Sequence, residues 1–173
     1  ILAIALVAVL FGSAAFGVTA FVIEPKYQAT AALYVNNSSF SLGSTSFSIS
    51  TSELSASSSL VSVYIYILES RTTMEDVIKQ ADLTYTPEEL GKMVSAKGIN
   101  STGAFEVTVT STNPAEAELI ANTIAKILPD RISEIVDGSS VRIVDYAIIP
   151  SHRSSPSMVK NTAMGILAGG FLA

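Results

Sequence analysis

The chain has 173 residues, of which 49% are apolar and only 14% charged, with a formal net charge of −5 and no cysteine. Soluble domains carry about one-quarter charged residues, so part of the chain is expected in lipid and the rest in one domain of ordinary size. Net acidity without any lysine or arginine cluster excludes a nucleic-acid surface, and the missing cysteine removes disulfides, thiolate metal sites and a cysteine nucleophile.

Residues 1–23 contain no charged side chain. At 1.5 Å per residue they can cross a hydrocarbon core of about 30 Å, so a first transmembrane helix is expected there. Small residues recur at four-residue spacing, through Ala8 and Gly12 and again through Ser13 and Gly17, which allows helices to approach closely in lipid.

Residues 24–149 read as an extracytoplasmic α+β domain. Just past Pro25, Tyr27, Ala29, Ala31, Leu33 and Val35 alternate with Gln28, Thr30, Ala32 and Tyr34, the period of a half-buried strand. Asn36 to Ser59 is rich in serine and threonine around Gly43-Ser44, where a loop is preferred over a small hairpin. Leu54, Val61, Ile65 and Leu68 then stand at helical spacing, although Val61–Leu68 also has the β-branched and aromatic content of a strand. Met74, Val77, Ile78 and Ala81 give the apolar face of a helix beginning after Ser70. Thr86-Pro87-Glu88-Glu89 is a capping box that predicts a short helix to Met93. Two strands follow, Val94–Ile99 and Phe105–Thr110, joined by a turn at Asn100–Gly103.

Asn113 and Pro114 repeat the helix-start chemistry: an Asx cap, proline at the first position and Glu116 in the first turn. The apolar face of that helix runs from Ala117 through Ile120, Ala121, Ile124, Leu128, Ile132 and Ile135 to Val136. Pro129 is expected to kink it and Asp137-Gly138 to close it. Val141–Ile149 reads as the last strand. The order is the βαββαβ of a ferredoxin-like unit, in which the first and last strands are antiparallel neighbours. The start of one and the end of the other then share one end of the sheet, which must be the membrane side.

Residues 150–160 form a proline-containing juxtamembrane linker with Pro150 and Pro156. Residues 161–173 are uncharged and are expected to begin a second transmembrane helix, with Gly165 and Gly169 as its close-approach positions.

No catalytic pattern emerges. His152, the only histidine, lies in the polar linker, and Glu88, Glu89, Glu116 and Glu118 fall in first turns of helices, where they serve the dipole and the cap. The serines have no base nearby, no G-x-S-x-G or phosphate-binding loop occurs, and no metal-ligand spacing is present. No cofactor and no catalysis are expected.

Several blocks in order carry a likeness: Pro25-Lys26-Tyr27-Gln28-Ala29-Thr30-Ala31 after a first apolar helix, then Ser70-Arg71-Thr72-Thr73-Met74-Glu75-Asp76-Val77-Ile78 and Val107-Thr108-Val109. Asn113-Pro114-Ala115-Glu116-Ala117, Ile120-Ala121-Asn122-Thr123-Ile124 and Val144-Asp145-Tyr146-Ala147-Ile148-Ile149-Pro150 complete the series. Together they resemble the chain-length determinant (Wzz-type) family of polysaccharide co-polymerases. The short membrane-distal region is similar to the Gram-positive type, which works with a separate cytoplasmic tyrosine kinase. The resemblance implies a homo-oligomeric, two-span protein of the cell membrane that regulates the length or export of a capsular or extracellular polysaccharide, with that kinase and a polysaccharide polymerase as partners. Arg153 departs from the family's proline series before the second span. The competing reading is the sensor domain of a two-span receptor, for which a HAMP-like linker past Ala173 would speak. A membrane-tethered glycan hydrolase is disfavoured by the missing acid and base.

Overall fold

A computed structural model describes residues 2–37, 51–99, 102–136 and 139–172. The chain divides into two compact units, residues 28–150 and the pair of terminal segments 1–27 and 151–173.

In the first of these, strand β1 (Tyr27–Asn37) is followed by three helices, α2 (Thr51–Leu68), α3 (Arg71–Gln80) and α4 (Pro87–Met93). Strands β2 (Val94–Ile99) and β3 (Ala104–Ser111), helix α5 (Pro114–Ile135) and strand β4 (Ser139–Asp145) complete it. The strands form a four-stranded sheet in the order β2-β3-β1-β4. β1 runs antiparallel to β4, with Asn37 opposite Ser139 and Leu33 opposite Ile143, and β2 antiparallel to β3, with Val94 opposite Val109. Val35 N–H donates to the Gly103 carbonyl, and Thr30 meets Thr108 and Gln28 meets Thr110 through their side chains. One number falls as the other rises, as an antiparallel pair requires. The βαββαβ order is thus present, with three helices in the place of the first.

The alternation in the strands decides which face is covered. Ala29, Ala31, Leu33 and Val35 of β1 and Phe105, Val107 and Val109 of β3 are buried, while Thr30, Tyr34 and Glu106 turn to the open face. Over the covered face lie Val61, Tyr64, Ile67 and Leu68 of α2, Met74 and Val77 of α3, and Ile120, Ile124, Leu128 and Ile132 of α5. Phe105 and Tyr64 are the largest of the fully buried side chains, and truncating Phe105 to alanine costs about 3–5 kcal/mol.

The helix starts are local chemistry. Ser70 Oγ accepts from Thr73 N–H at the start of α3. Thr86 and Glu89 form the complete capping box of α4, which ends at Met93. Asn113 Oδ1 accepts from the Ala115 and Glu116 N–H groups at the start of α5. Pro129 lies inside α5, which remains helical to Ile135.

Two expectations change. Thr51–Ser59 is helix, not part of a serine-rich loop, whereas residues 38–50, the alternation around Gly43-Ser44 included, lie outside the described residues. So do Asn100, Ser101 and the helix-closing pair Asp137-Gly138. Val61–Leu68 follows its helical spacing and not its strand content, and in that form Val61, Tyr64, Ile67 and Leu68 all reach the core. β4 stops at Asp145 instead of running to Ile149. The Asn122 side chain takes both main-chain groups of Ala147, donating to its carbonyl at 3.0 Å and accepting from its N–H at 2.8 Å, so the chain leaves the ladder for helix α5.

The terminal unit contains α1 (Leu2–Phe21) and α6 (Met158–Leu172). α6 starts within the expected linker, since Ser157 already accepts from Lys160 and Asn161, through its hydroxyl and carbonyl oxygens respectively. Among the described residues no helix is both long and apolar enough to cross a membrane.

Candidate functional site

The terminal unit is built around a helix pair. Gly165 of α6 sits against α1 so closely that a Cβ there would stand 2.6 Å from Ala15 Cβ and 2.9 Å from the Phe11 carbonyl oxygen. Ile166 fills the reciprocal notch, since a Cβ on Gly12 would be 2.5 Å from its Cγ1. The second small-residue row, Ser13 and Gly17, is elsewhere: Ser13 is exposed and Gly17 borders open space. Gly169 is buried one turn beyond Gly165. Around this seam the side chains facing out are apolar, among them Leu10, Phe16, Val18 and Phe21 of α1 and Val159, Met164, Leu167 and Phe171 of α6. Ser13 and Thr19 each donate to the carbonyl one turn back, at 2.8 and 2.7 Å, and Asn161 Nδ2 donates to Thr19 Oγ1 at 3.2 Å. Thr162 Oγ1 is buried without a partner.

Just beyond the helix ends the two chain segments are tied together. Lys26 N–H donates to the Ser155 carbonyl and Ser154 N–H to the Lys26 carbonyl, both at 2.8 Å, forming an antiparallel bridge. Ser154 Oγ adds a third bond to the Lys26 carbonyl, and Pro156 is buried beside the clamp. Pro150 falls in the other unit, residues 28–150.

In residues 28–150 the expected cap residues Asn113 and Pro114 stand in a polar network. Glu116 accepts from Tyr85 Oη at 3.0 Å and from Ser111 Oγ, whose oxygen in turn accepts from Asn113 N–H. The bond to Glu116, with some burial, raises the Tyr85 phenol above its ordinary value, so this tyrosine stays a neutral donor. Glu89 is held below its ordinary value by the Thr86 N–H and hydroxyl that donate to it. Both carboxylates thus serve caps.

An open groove of about 450 Å³ lies between α3 and α5, edged by Asp76 and Lys79 of the first and Lys126, Asp130, Arg131 and Glu134 of the second. Arg131 donates to Glu134 at 2.9 Å and stands 3.8 Å from Asp76. Its charges balance, and its arginine is paired. His152 is exposed and bonded to its neighbour Ser151 at 2.8 Å. Among the described residues no group of carboxylates and histidines has the arrangement of a metal site.

Asn122 was not singled out beforehand. A glutamate at position 118 of the same helix, which accepts from its amide at 2.8 Å, is the one local hint, since its partner Ala147 is remote in sequence.

Residues 1–81 match the chain length determinant protein (Wzz) family. The chain is 32% identical to the capsular polysaccharide biosynthesis protein CpsC of Streptococcus pneumoniae, over 97% of its own length and 72% of that protein's. It is 27% identical to the probable capsular polysaccharide biosynthesis protein YwqC of Bacillus subtilis, over 86% of this chain and 59% of that one. It is also 27% identical to the capsular polysaccharide type 8 biosynthesis protein cap8A of Staphylococcus aureus, over 83% and 63% respectively. The chain therefore spans about three-fifths to seven-tenths of the length of these relatives. With the apolar-helix, strand and capped-helix blocks in the order noted above, this establishes that the chain belongs to the chain length determinant family of capsular polysaccharide biosynthesis proteins.

Proposed function

We propose that this protein is a non-catalytic polysaccharide co-polymerase, anchored in the cell membrane by α1 and α6, that regulates the length or export of a capsular polysaccharide. Residues 28–150 are its extracytoplasmic domain, and self-association, a cytoplasmic tyrosine kinase and a polysaccharide polymerase are its working partners.

The observation that carries the reading is the α1–α6 seam. No described helix is by itself long and apolar enough to cross a membrane, and the reading therefore counts the 20 uncharged residues of α1, about 30 Å of helix, together with the uncharged residues 22 and 23 that follow. The outward side chains of α1 are apolar, its Ser13 and Thr19 hydroxyls are satisfied within the helix, and glycine notches on both helices bring the backbones together. In lipid, where no water can bond stray polar groups and apolar burial gives no drive, these are the features that hold helices together. α6 as described is shorter, at 15 residues, and carries Lys160 in its first turn, where a cation can reach the headgroups. The domain offers caps and a charge-balanced groove in place of an acid and a base over a cleft, which suits assembly better than catalysis.

Self-association would use what α2 leaves uncovered. Most of the apolar run Leu60–Leu68 is spent inside the domain's own core, so the surface available for a neighbour narrows to Val63 and Tyr66.

The test is made in cells. A strain lacking the gene should make polymer of altered chain length with unchanged sugar composition and linkage, and the intact gene should restore the length. Polymer of normal length in the deletion strain would end this reading. Residual glycan-cleaving or sugar-transferring activity in the purified full-length protein would end its non-catalytic part.

A further inference from the structure

Apolar side chains scattered singly on a surface need no explanation, but Val144, Tyr146, Ile148 and Ile149 come within one short run and are all exposed. Ile148 is 79% exposed and Tyr146 50%, whereas Ala147 between them is 3% exposed. The presentation is built. β4 has ended at Asp145, yet Asn122 holds the main chain of Ala147 from both sides, so its neighbours are turned outward as on an edge strand.

Three observations say what covers this run. The start of β1 and the end of β4 share one end of the sheet and the run follows β4 directly, so both segments of chain that leave the domain leave it at that end. The segments that join the domain to α1 and α6 carry Lys26 and Arg153 against one acid, Glu24, and Lys160 follows in the first turn of α6, a balance that suits an anionic surface. The Ala147 N–H and carbonyl are already taken by Asn122, which removes one of the pairs a strand added from a second copy could use.

We infer that Tyr146–Ile149 is a lipid-contact apron that rests its tyrosine and isoleucines at the boundary between headgroups and acyl chains of an anionic bilayer. This deepens the proposed function and rests on α1 and α6 lying in lipid. Tyrosine suits that depth, with a polar tip toward the headgroups and a ring toward the chains, and the cations of the segments leading to α1 and α6 add attraction to anionic lipid. Asn122 acts as the positioning residue.

Residues 1–173 contain no cysteine, so single cysteines can be placed in them without background from this segment, any cysteine elsewhere in the full-length protein being replaced by serine. Full-length protein carrying Ile148→Cys, Tyr66→Cys or Leu10→Cys, each labelled with a small fluorophore, is reconstituted in vesicles of phosphatidylcholine and phosphatidylglycerol. Nitroxide lipids quench either near the glycerol or near the chain end. The apron predicts glycerol-level quenching at position 148 several-fold above that at position 66, which is equally exposed but on α2, and a fall in that quenching when Asn122→Ala is added. Leu10→Cys should be quenched from the chain end. Quenching at position 148 no greater than at position 66, with Leu10→Cys quenched normally, overturns the apron and leaves the anchoring intact. Efficient disulfide formation between unlabelled Ile148→Cys copies would give the run to a second chain and overturn it equally. If Leu10→Cys is itself unquenched, the anchoring reading falls and the apron with it.

Discussion

Substituting Gly165 by alanine tests whether the α1–α6 seam is the close approach on which the anchoring reading depends. The added Cβ would meet Ala15 Cβ at 2.6 Å and the Phe11 carbonyl oxygen at 2.9 Å. Neither can move aside as the end of a flexible side chain could, so the helices must separate. Overpacking of this kind costs about 1–3 kcal/mol, equivalent to weakening the pairing by about 5- to 150-fold. Gly170, in the same helix, has nothing within 4 Å of a Cβ, and so Gly170→Ala is the matched control with the same propensity gain. Spin labels on single cysteines in α1 and α6 of the otherwise cysteine-free chain, measured in bilayers, should show a lengthened or broadened distance for Gly165→Ala and the parental distance for Gly170→Ala. Gly12→Ala should fall between, since its neighbour is the Ile166 side chain, which can partly give. Identical distances for all variants would show that the seam is not a steric constraint, and the packing argument would be wrong.

Replacing Asn113 by alanine removes the acceptor for two N–H groups at the start of α5 and should cost about 0.5–2 kcal/mol in chemical denaturation, with polymer length following only the loss of folded protein. Tyr64 is fully buried with no partner for its hydroxyl, so Tyr64→Phe should leave stability unchanged or raise it by about 1–3 kcal/mol, and clear destabilisation would point to an unseen partner. Glu89 has a folded-state pKa lowered by the Thr86 donors, so its stabilisation is present above its ordinary value of 4.5 and is lost as pH falls through the folded value. Glu89→Gln should therefore narrow the loss of stability on acidification below about pH 4.5, as read from melting temperature against pH. Tyr66→Glu, at a 78% exposed position of α2, should weaken self-association in detergent without lowering the melting temperature, and unchanged assembly by light scattering would remove α2 from the interface.

What the sequence disclosed was mostly local. Ser70, the Thr86–Glu89 box and Asn113 name the starts of α3, α4 and α5 because a cap is satisfied by residues within one turn. The alternation Ala29–Val35 and Phe105–Val109 likewise fixes which strand faces are buried, since one slip would reverse every side chain. What failed depended on distant groups. Val144–Ile149 looks like a continued strand because nothing nearby announces that Asn122 will claim Ala147. Ser157, by contrast, is an ordinary helix cap that could have placed the start of α6 within the linker. The small-residue rows were visible, but which row packs was not: Gly12 meets Ile166, while Gly17 meets nothing.

The central claim is that a non-catalytic, membrane-anchored chain sets polysaccharide length through its paired helices. It is tested most directly by the length distribution of capsular polymer from cells in which the chromosomal gene carries Gly165→Ile, compared with parental, Gly170→Ile and deletion strains. The account predicts a shifted length distribution for Gly165→Ile at normal protein level and unchanged sugar composition, toward that of the deletion strain, with Gly170→Ile close to parental. Parental length from Gly165→Ile cells, or a deletion strain whose polymer is unaltered, would contradict it.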